Sequence, residues 1–338
     1  MDLSVIIVSF NTREKLRQCL RSVFNSNTKF SFEVFVVDNV SADGSTQMVA
    51  AEFPNAKLIR NAENLGYSKA NNIAIRKILS RLPNPPPPDF AKATTGTRGE
   101  GNTKENSSPL PGSPKNVLGF GVGVRGEDKG GGEELSRYFL LLNPDVEIAL
   151  DTFDKMISYM DNDKSVGIAG CRVVKTDGSF DKASRRSFPN LKNSLLHFAG
   201  LSSDYNLNLP DDKTSEVDSV MGAFLMIRGE TLEKIGLLDE AFFMYGEDLD
   251  WCMRAKQAGY KVMYAPVTTV VHHKGSSSRK LPKKALYEFH RAMIVFYMKH
   301  YSANHSELVN SLVKLAIWAR YYLKLIQNSF RKEKYVSK

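Results

Sequence analysis

The spacing of apolar residues changes period repeatedly along the chain, and the changes mark alternating strands and helices. Residues 3–8 form an almost unbroken apolar run, the pattern of a strand covered on both faces within a parallel sheet. Asn11 and Thr12 then offer a helix N-cap, and Leu16, Leu20 and Val23 recur at i, i+4 and i+7, the stripe of a helix packed on that sheet. The unit repeats, with a strand over 33–37, a polar turn over 38–45 and a helix over 46–53. A third short strand at 57–59 leads through a polar loop into a helix from about Ser68 to Leu82. This βαβα order predicts an α/β fold, an open and mostly parallel sheet with helices on both faces.

The segment from Pro83 to Glu134 breaks the pattern, holding 8 of the 14 prolines and 11 of the 23 glycines. The run Pro85 to Pro88 favours an extended polyproline conformation, and the remainder has too few apolar residues to offset the entropy lost on ordering. Residues 83–135 are therefore expected to be a disordered insertion within one domain. Periodicity resumes at Tyr138–Leu142, a fourth strand that stops at Asn143-Pro144-Asp145. A helix near Leu150–Met160, a strand over Val166–Val174, a turn at Thr176-Asp177-Gly178 and a strand over Val217–Ile227 follow. A helix over Asp248–Ala258 is closed by Gly259, and Lys261–Ala265 returns as strand.

Between Ser306 and Asn328 one helical face carries Leu308, Leu312, Leu315, Ala319, Tyr322 and Ile326, and the other carries Asn310, Arg320, Lys324 and Gln327. Arg331, Lys332, Lys334 and Lys338 follow. Such a helix suits either an anionic membrane surface or packing against the rest of the chain.

Composition narrows the partners. A formal net charge of +9 favours an anionic partner, whether phosphorylated substrate, acidic lipid or nucleic acid. The basic residues are dispersed and lack interleaved aromatics, so nucleic acid is not expected. Cys19, Cys171 and Cys252 are odd in number and widely spaced, which suggests neither a disulfide framework nor a zinc site and fits a reducing cytoplasm. No basic, apolar leader opens the chain and no run approaches the roughly 18 apolar residues of a spanning helix. The expected location is cytoplasmic, in solution or peripheral on the cytoplasmic membrane face.

In an open α/β sheet ligands sit beyond the carboxyl ends of the strands. The polar residues there are Ser9 to Thr12, Asp38-Asn39, Asn143-Pro144-Asp145 and His272-His273, with Glu247-Asp248 at a helix start. No glycine-rich dinucleotide fingerprint or P-loop follows any strand, so phosphates need another handler. A carboxylate such as Asp145 can hold Mg2+ or Mn2+ against a diphosphate, and His272 can complete the coordination. Each position also has a structural reading: Asn-Pro-Asp is turn chemistry, and Glu247-Asp248 suits a helix N-terminus.

The stretches SVIIVSFNTREKLRQCLRSV, VFVVDNVSADGS, RNAENLGYSKANNIAI, YFLLLNPDVEI, VGIAGCRVV, VMGAFLMIRGETLEKIGLLDEAFFMYGEDLDWCMRAKQAGYKVMYAP and VVHHKGSSS resemble glycosyltransferase family 2, in particular its bacterial rhamnosyltransferase-like members. The resemblance covers nearly everything except 83–135 and the C-terminal tail. It implies a GT-A (Rossmann-like) fold and an inverting single displacement from a nucleoside-diphosphate sugar onto a glycan or polyprenyl-linked glycan, in cell-surface polysaccharide synthesis. It implies one domain from 1–82 and 136–275, with a nucleotide-binding first half and an acceptor-facing second half, and a helical region with a basic tail over 276–338. Position by position, it implies that Ser9 and Asn11 line the nucleotide pocket and Asp38 bonds the base. It puts Asn64, Gly66 and Asn71 by the ribose and diphosphate, and Asn143 and Asp145 at the two ends of a DxD-type motif. Asp145 would hold the metal, His272 would join the metal or the diphosphate, and Asp248 would be the catalytic base with Glu247 as its substitute.

Asn143 stands where many members carry aspartate, one negative charge fewer, which suits a donor such as dTDP-rhamnose with fewer ribose hydroxyls. A non-catalytic nucleotide- or carbohydrate-binding protein on the same scaffold is the competing reading.

Overall fold

In the computed structural model, which describes residues 1–83, 135–189, 207–273 and 282–330, the two-residue period of the first strand sorts its side chains into two hydrophobic layers. Leu3, Val5 and Ile7 of β1 (Leu3–Ser9) enter one layer, Ile6 and Val8 the other. On either side of β1, β2 (Phe32–Asp38) and β4 (Tyr138–Leu142) pair with it in parallel, and β3 (Ala56–Arg60) extends the sheet beyond β2. The first layer is covered by α1 (Arg13–Phe24), α2 (Ser45–Glu52) and α4 (Thr152–Asn162). The second is covered by α3 (Gly66–Leu79), α5 (Gly229–Ile235) and α6 (Glu247–Gln257). Burial on both faces is why these strands are apolar throughout instead of alternating. The insertion expected over 83–135 lies, except for its end residues, outside the described residues.

Beyond β4 the sheet changes direction. β10 (Phe224–Arg228) runs antiparallel between β4 and β6 (Val166–Lys175), and β6 pairs in parallel with β11 (Lys261–His272). The path is β3-β2-β1-β4-β10-β6-β11-β5, where β5 (Val146–Glu147) closes antiparallel on the end of β11. β11 runs well past Ala265, where its strand was expected to end. Its register on β6 is irregular between Tyr264 and Thr269, around Pro266, which has no N–H to give the ladder. β8 (Ser215–Glu216) pairs with β11, and β7 (Arg185–Arg186) forms a separate ribbon with β9 (Ser219–Val220).

The continuous strand expected over Val217–Ile227 is corrected by the structure. β9 and β10 are separated by a turn at 221–223, closed by the Phe224 amide donating to the Met221 carbonyl at 3.2 Å. The reason is tertiary: the Gly222 amide donates to Asp248 Oδ2 at 2.8 Å, and the Ala223 carbonyl accepts from the Asn143 amide at 2.9 Å. Hydrophobicity alone hides a break made by distant partners.

Two further helices, α7 (Pro282–His300) and α8 (Glu307–Ser329), follow the sheet. Ala292 and Phe296 of α7 pack with Phe242 in front of α6, and α8 lies against α7 through ring contacts of Tyr287 with Trp318 and His290 with Tyr321. Ser306 caps α8 by accepting from the Val309 amide. No helix among the described residues is long and apolar enough to cross a membrane.

Candidate active site

The loops that leave β1 and β2 are stitched together by their own polar groups. Ser9 and Asp38 are register partners at the two strand ends. Asn11, held at φ +53°, accepts from the Ala42 amide at 2.7 Å, and its own amide donates to Ser41 Oγ at 2.9 Å. Thr12 occupies the N-cap position of α1 without a side-chain cap bond; Asp43 of the neighbouring loop accepts from the Arg13 amide instead. Asp38 is buried, with Oδ2 on the Ser41 amide at 2.9 Å and Oδ1 without a protein partner.

The next layer is the N-terminus of α3. Asn64 Oδ1 accepts from the Gly66 amide at 3.0 Å, and Asn39 Nδ2 donates to the Gly66 carbonyl at 3.0 Å. Gly66 has φ +80°, and a Cβ there would lie 2.3 Å from the Phe243 carbonyl oxygen, so only glycine fits. Asn71 Nδ2 donates to the Tyr67 carbonyl at 2.9 Å, leaving its buried Oδ1 without a protein partner. Tyr67 reaches across the site and donates from its hydroxyl to the Gly222 carbonyl at 3.0 Å. Burial, with the charges of Glu247, Asp248 and Asp145 around it, holds the Tyr67 phenol well above its ordinary range.

Asp145 follows the turn after β4, in which the Val146 amide donates to the Asn143 carbonyl at 3.2 Å. Pairing of β5 with β11 brings Asp145 Oδ1 within 3.2 Å of His272 Nε2, both side chains largely buried. His272 Nδ1 has no protein partner. A carboxylate oxygen and an imidazole nitrogen side by side form a donor pair suited to Mg2+ or Mn2+, with diphosphate and water oxygens completing the shell. Among the described residues no group of three or more His, Cys, Asp or Glu is placed to hold a metal ion.

Asp248 and Glu247 begin α6 after Gly246, whose φ of +82° turns the chain into the helix. Their environments differ. Asp248 Oδ2 accepts from Arg186 at 2.6 Å and from the Gly222 amide at 2.8 Å, while Oδ1 accepts from the Leu249 amide at 2.8 Å. Glu247 is buried with Oε2 unpartnered, and burial together with the adjacent Asp248 charge pushes its carboxyl up to about 8. One turn on, Asp250 is fully buried among Arg254 at 2.9 Å, Lys299 at 2.8 Å and His300 at 2.8 Å. Burial would raise its carboxyl, but Arg254, His300 and Lys299 hold it below its ordinary value.

One chain of contacts links Ser9, Asp38, Gly66, Asp248 and Asn143 among the positions named from sequence, while Asp145 and His272 pair with each other. The linked contacts run from Ser9 and Asp38 through Asn39 and Gly66 to Tyr67, and from Tyr67 through Gly222 to Asp248 and Asn143. Tyr67, Arg186 and Gly222 were given no role from sequence. Tyr67 had a signal, its place next to Gly66 in a polar helix start; Arg186 sits in a short polar tract that announces nothing.

A mixed, mostly parallel sheet with helices on both faces is an α/β fold of the GT-A type. The chain aligns with the structure of a mannosyltransferase from Pyrobaculum calidifontis, solved with GDP-Man and Mn2+, at TM-score 0.52 and 16% identity over 96% of this chain and 70% of that one. The family model for glycosyl transferase family 2 matches residues 4–81, and that for glycosyltransferase-like family 2 matches residues 135–287. The chain belongs to glycosyltransferase family 2 and resembles its bacterial rhamnosyltransferases. It is 24% identical over 308 residues to an N-acetylglucosaminyl-diphospho-decaprenol L-rhamnosyltransferase of Mycobacterium tuberculosis, covering 89% of this chain and 85% of that protein. It is also 24% identical over 189 residues to the dTDP-rhamnosyl transferase RfbF of Shigella flexneri, covering 53% and 58% respectively.

Proposed function

We propose that the enzyme transfers rhamnose from dTDP-rhamnose to a hydroxyl of a polyprenyl-linked glycan, with inversion at the anomeric carbon, at the cytoplasmic face of a membrane. The observation that carries the reading is Asp248, held by Arg186 and the Gly222 amide, with the Gly222 carbonyl taking the Tyr67 hydroxyl and the next carbonyl, of Ala223, taking the amide of Asn143, two residues before Asp145. The names of the relatives supply the sugar and the lipid carrier.

In this reading the first half of the domain, residues 1–82, holds the nucleotide. Asp38 offers its unpartnered Oδ1 to the base, Ser9 and Asn11 line the pocket, and Asn64, Gly66, Asn71 and Asn143 surround the ribose and diphosphate. Asp145 and His272 would hold Mg2+ or Mn2+, which when bound would offset the negative charge that builds on the leaving diphosphate. Asp248 takes the proton of the acceptor hydroxyl as its oxygen bonds to the anomeric carbon; the carbon–oxygen bond to the diphosphate breaks, and its electron pair leaves with the diphosphate. Glu247, carrying its own proton near neutral pH, serves as a hydrogen-bond donor to the sugar instead of a second base. Arg186 and Gly222 fix the direction in which Asp248 points.

Calorimetry of dTDP-rhamnose, UDP-sugars and GDP-sugars with and without Mn2+ tests the donor. The tightest binding is expected for dTDP-rhamnose, strengthened by Mn2+. Equal or tighter binding of a UDP-sugar contradicts the choice of rhamnose donor, and binding indifferent to Mn2+ contradicts the metal.

A further inference from the structure

The C-terminal helix is amphipathic in the sense opposite to that of a surface helix packed on a core. Leu308 is 71% exposed, Leu315 66%, Leu323 60% and Phe330 87%, with Leu312, Tyr322 and Ile326 exposed between them. The side turned toward the rest of the molecule carries Asn310 at 1% and Ile317 at 5% exposure, and Asn310 Oδ1 accepts from the Tyr297 hydroxyl at 2.8 Å. A helix of 23 residues spans about 34 Å, so the stripe is long, and the exposed residues at its helical spacing include no charge. Exposed apolar surface of this extent marks a contact with something.

Charge identifies the occupant. Residues 282–338 contain eleven Lys and Arg against three Glu, a net +8 out of the +9 of the whole chain. A second copy docking through this face would bring two such regions together against mutual repulsion, whereas an anionic bilayer answers both the charge and the apolar stripe. Within the described part, Lys314, Arg320 and Lys324 of α8 are half-exposed and lie off the stripe, Arg320 packing over Phe289 and against Met293 of α7, so the stripe itself is left uncharged to enter the acyl boundary.

We infer that the outward face of α8 docks the protein in the plane of an anionic lipid bilayer, apolar stripe inward to the lipid and basic side chains at the headgroups. The inference deepens the reading of a lipid-linked acceptor and rests on it for its purpose. α7 gives it a mechanical link to the site: Lys299 and His300 at its end bind Asp250, two residues from Asp248 on α6. A bilayer held on α8 therefore stands in fixed relation to the base that the acceptor must reach.

Flotation of the full chain with phosphatidylcholine vesicles, with and without phosphatidylglycerol, tests the docking without donor or acceptor. The expected result is co-flotation only with the anionic vesicles, reduced at least about tenfold in L315E/I326E, whose substitutions are on exposed positions and leave melting temperature and transfer to a water-soluble acceptor analogue unchanged. Equal flotation of wild type and variant, or none by wild type, overturns the docking. So does a concentration-dependent dimer, seen by light scattering, that the variant abolishes, since the stripe then belongs to a second copy. Failure of sugar transfer by wild type would instead overturn the functional reading and leave the flotation result standing.

Discussion

From β1 to α3 the rim of the site is made of hydroxyls, amides and two carboxylates, Asp38 and Asp43, tied down by backbone hydrogen bonds. Beyond β10 it is made of charges held by other charges, Asp248 by Arg186 and Asp250 by Arg254, Lys299 and His300. The first region obtains its shape from neutral groups and backbone amides at neighbouring strand ends and turns. The second depends on partners far away in sequence, 62 residues between Arg186 and Asp248 and 50 between Asp250 and His300. The difference follows from the tasks proposed for each. A nucleotide pocket needs fixed neutral groups and close backbone approach, whereas proton abstraction needs a carboxylate aimed into a partly dry site, and burying that charge requires compensation.

The contrast predicts a graded response to substitution. Asp250→Asn leaves Arg254, Lys299 and His300 around a neutral group in the interior, and urea unfolding should show a loss of about 3–5 kcal/mol. A loss too small to resolve would mean that the charge cluster does not support the second region. Gly66→Ala strains the first region through its backbone, at φ +80° and against the Phe243 carbonyl. The expected cost is about 1–3 kcal/mol, with donor affinity weakened, because Gly66 begins the helix beside the nucleotide. If this variant proved more damaging than Asp250→Asn, the order of the two regions would be reversed.

A third expected effect is on pH dependence. Glu247 keeps its proton to about 8 in the folded chain but releases it near its ordinary 4.5 when unfolded. The native state therefore binds more protons across that window, and this group's contribution to stability is full below the window and is lost as pH rises through it. Glu247→Gln should flatten that decline and raise the melting temperature at pH 8 relative to wild type. An unchanged profile would show that Glu247 is not held protonated.

The first region was also the more legible in the sequence, for the same reason. Strands buried on both faces announce themselves as apolar runs, and Ser9 and Asp38 stand out because each ends such a run; outside the first region Asn143 and His272 stand out in the same way. The turn at 221–223 was not legible, since it sits inside an apolar stretch and is imposed by Asp248 and Asn143. Arg186 and Tyr67 join the site through single contacts to residues 62 and 155 positions away, and no local pattern encodes such pairs. For α8 the periodicity established that the helix has two faces. Which one turns inward was decided by Tyr297 of α7 taking Asn310 as its partner.

The central claim is that Asp248 removes the acceptor proton while its neighbours hold it in place. Transfer by wild type and Asp248→Asn, measured in single turnover at saturating donor with donor affinity and melting temperature recorded alongside, addresses it directly. The account predicts a fall in rate of about 10²–10⁴-fold with donor affinity little changed. Transfer by Asp248→Asn at close to the wild-type rate would contradict it.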